Sequence, residues 1–274
     1  MQDSVFDNLA LLVVVRNLQR PLGPQLDIHL SVAEASELVY DSAASEGYDP
    51  MERAYLVVED KAPVGWISHD CLDAGKMVSE IAIEQIRPSS VLSADTTALE
   101  MVQIFATTKM PFFFVLDHSQ ITGTLDFADF IFGLPFKLCL FALTLSLEDN
   151  ALRLLLKSGR ESWEALPPNR RNKGEKIYRK RFEQDPSADK PPYDDLLRCT
   201  LFCDKGTILK KRKVLSGTSG NKIESIFGRA DKVRNGCAHT RDSSIAAVLG
   251  REELYLFIRD VKDIIEKLQP AIRG

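Results

Sequence analysis

The feature that most constrains the fold is a pattern written twice. Residues 26 to 45, LDIHLSVAEASELVYDSAAS, lead into RAYLVVEDKAPVGWISHDCLDAG (53 to 75), and residues 89 to 108, SSVLSADTTALEMVQIFATT, lead into PFFFVLDHSQITGTLDFADFIFG (111 to 133). In each copy a short extended segment enters a helix with apolar residues at helical spacing, Ala33, Leu38 and Val39 in the first and Leu99, Val102 and Phe105 in the second. A β-rich run follows, AYLVVED or FFFVLDH, and a polar turn leads into a second strand ending at Gly65-Trp66-Ile67 or Ile121-Thr122-Gly123. A short helix closes each unit. The first half therefore holds one strand-helix-strand-strand-helix unit two times, at about 20 to 78 and 84 to 133.

After Pro135 the character changes. FKLCLFALTLSLEDNALRLLLKS (136 to 158) carries apolar residues on more than one face, as expected of a helix central to a bundle. Residues 159 to 192 are polar and basic, long for a plain loop, and read as a functional insertion or a mobile segment. Helical patterns resume at 193 to 211, 221 to 239 and 250 to 270, with LSGTSG breaking the first from the second. Four or five helices with short linkers make a bundle. The expected fold is α+β, with an α/β domain over 1 to 134 and an all-α domain over 135 to 274.

Composition sets limits on function. A net charge of −4 gives no global reason to expect nucleic-acid binding, so a basic patch must be local. Five cysteines (Cys71, Cys139, Cys199, Cys203, Cys237) are odd in number, lack a disulfide-framework spacing and follow no secretion signal, which fits a reducing cytoplasm. The apolar run at 130 to 147 is interrupted by Gly133, Pro135 and Lys137, which argues against a membrane helix.

The order of elements, with VVEDKAPVGWIS and VLDHSQITGTLD at equivalent places, resembles a tandem pair of CBS domains, named after cystathionine β-synthase. In such a pair the two sheets pack together and leave two clefts that often take adenine nucleotides. The resemblance implies a glycine that lets the backbone approach the ligand, a hydroxyl that bonds phosphate and a carboxylate that takes both ribose hydroxyls. Its frame falls on Gly65, Trp66, Ile67, Ser68 and Cys71 in the first copy, where the carboxylate is missing. In the second it falls on Gly123, Thr124, Leu125, Asp126 and Asp129, where the carboxylate is kept and the hydroxyl position is acidic. The ligand residues implied are Gly65, Ser68, Gly123, Thr124, Asp126 and Asp129. The other reading is a structural pair that dimerises and holds the second half in place.

In the helical half, KVRNGCAHTRD (232 to 242) resembles the arginine, polar residue, three residues, histidine signature of the HEPN superfamily, helical bundles of which many are metal-independent ribonucleases active as dimers. The candidate catalytic residues are Arg234, Asn235 and His239. Moving a 2′-hydroxyl onto its adjacent phosphate needs a proton acceptor or donor, and histidine titrates near neutral pH. Arginine adds a fixed charge forked to grip phosphate oxygens, asparagine can orient the phosphate or the imidazole, and no metal or cofactor is required. At about 100° per residue Asn235 and His239 share a helix face, while Arg234 and His239 diverge by roughly 140°. The helix must distort or end near His239, or the long arginine must reach round, or a second protomer must complete the site, a close contact that Gly236 would permit. A homodimer is expected on this ground. The plain alternative is a solvated Arg-Asn pair with a histidine at the negative end of the helix dipole.

Three basic clusters lie in the same half: Arg170, Arg171 and Lys173; Arg179, Lys180 and Arg181; and Lys210, Lys211, Arg212 and Lys213. They suit an RNA backbone, with Tyr178 and Phe182 to stack on bases, or are solvated helix faces. A rival zinc site from Cys199 and Cys203 at i and i+4, with Cys237 and His239, is also conceivable. The architecture resembles ligand-gated ribonucleases of bacterial defence and stress responses. The competing reading is a non-catalytic nucleotide sensor or scaffold whose bundle binds a partner or RNA without cutting it.

Overall fold

The computed structural model describes residues 5–46, 54–72, 76–182, 191–238 and 249–273. Its contacts divide the chain into two units, one formed by 13–101 and 108–130, the other by 1–12, 102–107 and 131–274. The fold is α+β, as the sequence led us to expect.

The first unit contains the duplicated pattern. Its elements are β1 (Arg20–Pro21), β2 (Leu26–Asp27), α2 (Val32–Glu46), β3 (Ala54–Glu59), β4 (Ala62–Ser68), β5 (Val91–Ser93), α3 (Ala98–Thr107), β6 (Phe112–Asp117), β7 (Gln120–Asp126) and α4 (Phe127–Phe132), with 102–107 of α3 and the last two residues of α4 grouped with the second unit. Strands run in the orders β2-β3-β4 and β1-β7-β6-β5. In each copy the first strand pairs parallel with the second, and the second pairs antiparallel with the third. Ser31 and Glu34 cap α2 reciprocally, the Ser31 amide donating to the carboxylate at 2.9 Å and the Glu34 amide to the hydroxyl at 3.3 Å. Thr97 and Glu100 do the same for α3. Both hairpins use two-residue turns, with Asp60, Lys61 and His118 at positive φ. β-Bulges recur at Val57/Val58 and at Val115/Leu116.

The buried stripe of α2 is Val32, Ala35, Val39 and Ala43, packed over Tyr55, Val57 and Ile67. Ala33 and Leu38 face outward instead. Val39 is buried as expected, and the other two positions miss because alanines fall on both faces of this helix, Ala35 and Ala43 buried, Ala33 and Ala44 exposed, and leave its core face weakly marked. β7 runs on through Thr124 to Asp126, past the end the sequence suggested.

In the second unit α5 (Leu134–Leu156) is the central helix, burying Phe136, Leu140, Leu143, Leu147 and Leu154 among its neighbours. Around it stand α1 (Val5–Leu12), α6 (Gly159–Glu164), α7 (Pro168–Arg181), α8 (Tyr193–Arg198), α9 (Phe202–Arg212), α10 (Gly220–Ala238) and α11 (Arg251–Arg273). α11 buries Leu254, Phe257, Val261, Ile264 and Leu268, one stripe with helical spacing. The basic stretch over 159 to 182 is therefore largely helical, while 183 to 190 lie outside the described residues. α6 buries Trp163, and α7 lays Gly174 and Tyr178, four residues apart, against the bundle. So narrow a buried face hides helical periodicity in a polar sequence. The expected helix over 193 to 211 is two helices, broken at Cys199–Leu201. Among the described residues no helix is long and apolar enough to cross a membrane.

Candidate functional site

Two glycines define two equivalent places in the first unit. A Cβ on Gly123 would lie less than 3.0 Å from the Arg20 carbonyl oxygen, and a Cβ on Gly65 would collide with Ile83 and the Glu84 carbonyl oxygen. In both copies a crossing segment presses on the glycine: β1 pairs Pro21 with Gly123 and Arg20 with Thr124, and Trp66 exchanges two 2.9 Å backbone hydrogen bonds with Glu84 in an isolated bridge. The resemblance assigned these glycines to ligand approach. Here the close approach belongs to the chain's own backbone. The same pairing puts Arg20 and Glu84 in equivalent positions, one basic and one acidic.

Beside Trp66 opens a cleft of about 610 Å³, within the range of roughly 300 to 1,000 Å³ common for small-molecule sites. Trp66 and Phe112 form an edge-to-face pair at 4.9 Å, with Met110 and Pro111 completing an apolar wall. The polar side is Glu84, Arg87 and Ser89. Ser90 holds this side in shape: its hydroxyl donates to the Arg87 carbonyl at 2.8 Å and accepts from the Arg87 amide at 3.1 Å. Ser68, implied by the resemblance, does not line this cleft, since its hydroxyl contacts the Cys71 sulfur at 3.4 Å. What the sequence reading missed lies outside the motif, in the RPSS that follows the first copy and the MPF that opens β6. An arginine with two serines at the start of the second copy was the available sign.

The equivalent cleft in the second copy is about 160 Å³, well below that range. It brings together Thr124, Asp126 and Asp129, with Arg20 among them. Asp126 caps α4: the Asp129 amide donates to its Oδ1 at 2.7 Å, and the Asp126 amide reaches back to Asp129 Oδ2 at 3.4 Å. The other oxygen of Asp129 accepts from Arg20 Nε. Burial, with Asp126 beside it, pushes the Asp129 carboxyl up to about 6 even though Arg20 pulls the other way.

In the helical unit α10 is regular through Ala238, so Arg234 and Asn235 sit within it, and His239 lies outside the described residues. Arg234 donates to Glu148 Oε2 at 3.3 Å, Asp231 Oδ1 at 2.9 Å and Asn235 Oδ1 at 3.4 Å, with its guanidinium 5.0 Å from the centre of the Phe202 ring. Glu148 also accepts from Lys205 Nζ at 3.0 Å; Lys205, only 2% exposed, donates as well to the Thr200 carbonyl. Gly236 is buried on the inner side of α10 with Val233.

The basic clusters are partly committed. Arg170 pairs with Asp204 at 3.2 Å, Lys210 with Glu224 at 2.6 Å and Arg212 with Glu161 at 2.8 Å, while Lys211 donates to the Ala165 carbonyl at 3.0 Å. Arg171 and Arg179 are half-buried; Lys173, Lys180, Arg181 and Lys213 are exposed. Tyr178 is buried against Phe182, at 4.8 Å between rings, and cannot stack on a base; Phe182 is exposed. Cys199 follows α8 and Cys203 belongs to α9, so they do not share the single helix on which the zinc reading relied. Burial raises the Cys199 thiol and pushes Cys237 up to about 11, disfavouring thiolate at either. Among the described residues no three His, Cys, Asp or Glu side chains are placed to hold a metal ion.

No family model and no curated protein matches the sequence. Solved CBS-pair structures do match part of it. A conserved CBS domain protein of unknown function from Thermoplasma acidophilum is 11% identical with a TM-score of 0.32, covering 43% of this chain and 66% of that one, just under two thirds. The CBS-pair protein CBSX2 from Arabidopsis thaliana is 18% identical with a TM-score of 0.32, covering 43% and 92%. The CBS domain of a bacterial CNNM/CorC family Mg2+ transporter, solved in complex with ATP, is 16% identical with a TM-score of 0.33, covering 45% and 87%.

Proposed function

We propose that the chain is a nucleotide sensor whose working site is the cleft at Trp66. The observation that carries this is the composition of a ligand-sized cavity: an aromatic wall of Trp66 and Phe112 suits a purine face, Arg87 and Ser89 suit a phosphate, and Glu84 suits a ribose diol. Glu84 thus supplies the carboxylate that the motif lacks at Cys71. The chain has two tryptophans, and Trp163 is buried in the helical unit. In a Trp163→Phe variant, AMP, ATP or a cyclic adenylate at millimolar concentration quenches Trp66 fluorescence, and Arg87→Ala weakens the binding at least tenfold. A flat titration with every one of these ligands refutes the reading.

The output assigned to the helical unit is metal-independent RNA cleavage by Arg234, Asn235 and His239. It is supported by the way Arg234 is held half-exposed by Glu148, Asp231 and Phe202, with Asn235 exposed beside it. Those two carboxylates also offset the guanidinium charge, so a phosphate must displace one of them to engage it. Single-stranded RNA incubated with the protein and EDTA is cut, and Arg234→Ala or His239→Ala lowers the rate by about 10² or more. Variants that cut as well as the parent chain leave the sensor without this output.

A further inference from the structure

The second cleft has an occupant of its own. Arg20 enters it from β1, a strand held by backbone pairing of Arg20 with Thr124 and Pro21 with Gly123. Its Nε donates to Asp129, the carboxylate that the frame assigns to the ribose hydroxyls. Asp129 already receives the Asp126 amide on its other oxygen, so both its oxygens are engaged inside the chain. About 160 Å³ remains around Arg20, Thr124, Asp126 and Asp129. At the equivalent place in the first copy stands Glu84 in place of Arg20, and Cys71 in place of Asp129, and there the cleft is about 610 Å³. The two copies have therefore diverged by paired changes: where the motif carboxylate is kept it is covered by an internal cation, and where it is lost the crossing segment brings an acid.

We propose that Arg20 is a built-in plug that holds the second cleft shut, so that the chain takes one nucleotide, at the Trp66 cleft. This rests on the reading of these clefts as nucleoside sites. The charges also fix what an unplugged cleft would accept. Without Arg20 it keeps Asp126 where a phosphate would lie, so it takes an uncharged nucleoside and rejects an anionic nucleotide.

The test is equilibrium dialysis of the full chain with radiolabelled adenosine and, separately, AMP, counting bound ligand per chain at saturation. Arg20→Ala and Arg20→Gln each gain one adenosine site over the parent and no AMP site, whereas Arg20→Lys, which keeps the cation, gains none. Adding Asp129→Asn to Arg20→Ala removes the gained site, which separates it from unspecific uptake. Two substitutions at Arg20, each checked for cooperative thermal unfolding, guard against a folding defect. No gain in a folded Ala or Gln variant overturns the plug, as does a parent chain that already binds two. If the parent binds neither ligand while Arg20→Ala gains one adenosine, the plug stands and the Trp66 cleft fails as the sensor site.

Discussion

Asp129 and Glu148 are two carboxylates whose surroundings decide opposite roles. Asp129 is buried beside Asp126 and its pKa lies at about 6, above the value of about 3.9 expected in an unfolded chain. A raised acid binds its proton more tightly in the folded state, so its contribution to stability is fully present below about pH 4 and is lost as pH rises through 6. Asp129→Asn should flatten that part of the stability profile, a difference of about 1 to 3 kcal/mol measurable by urea unfolding between pH 4.5 and 7. Glu148 acts by bridging Lys205 and Arg234. Glu148→Ala leaves Lys205 buried with only the Thr200 carbonyl, at a cost of about 3 kcal/mol, the low end for a broken buried pair because Glu148 keeps some solvent contact. Glu148→Leu with Lys205→Met should be less destabilised than Glu148→Leu alone. Additive losses in urea unfolding would show that the buried pair is not coupled.

Elements were legible where their periodicity involved large residues. The two hairpins could be read from AYLVVED and FFFVLDH because the middle strand of each copy is buried on both faces, five of six residues in β3. The caps, Ser-x-x-Glu before α2 and Thr-x-x-Glu before α3, stood in the sequence but formed no part of its reading. α7 could not be read, because a helix needing only Gly174 and Tyr178 on its inner face leaves no apolar pattern. The break between α8 and α9 was hidden for a related reason: Leu196, Leu197, Cys199 and Phe202 are all buried, so the apolar sequence runs on through an interrupted helix. The site residues divide in the same way. Thr124, Asp126 and Asp129 followed from a linear motif, whereas Arg20 reaches its cleft on β1, Glu84 through a single backbone bridge to Trp66, and Arg87 from the turn before β5. For Arg20 and Glu84 nothing local in the sequence records that approach, and for Arg87 the one local sign is the arginine and two serines of RPSS.

At the scale of the whole molecule, the tryptophans provide one reporter for each unit, Trp66 beside the cleft and Trp163 at 2% exposure in the helical core. Ligand that binds only the folded state stabilises its unit by RT ln(1 + [L]/Kd), about 2.7 kcal/mol at a hundredfold excess over Kd. A nucleotide at that excess should move the urea transition seen through Trp66, in the Trp163→Phe chain, by this amount. If the sensor governs the helical output, the two units share a coupling free energy, typically 1 to 3 kcal/mol. The transition seen through Trp163, in the Trp66→Phe chain, should then move in the same direction, by less, provided the Phe variant still binds. A shift confined to Trp66 means that the nucleotide stabilises its own unit without reaching Arg234. RNA cleavage would then be independent of nucleotide, which the same two chains test directly in the EDTA assay.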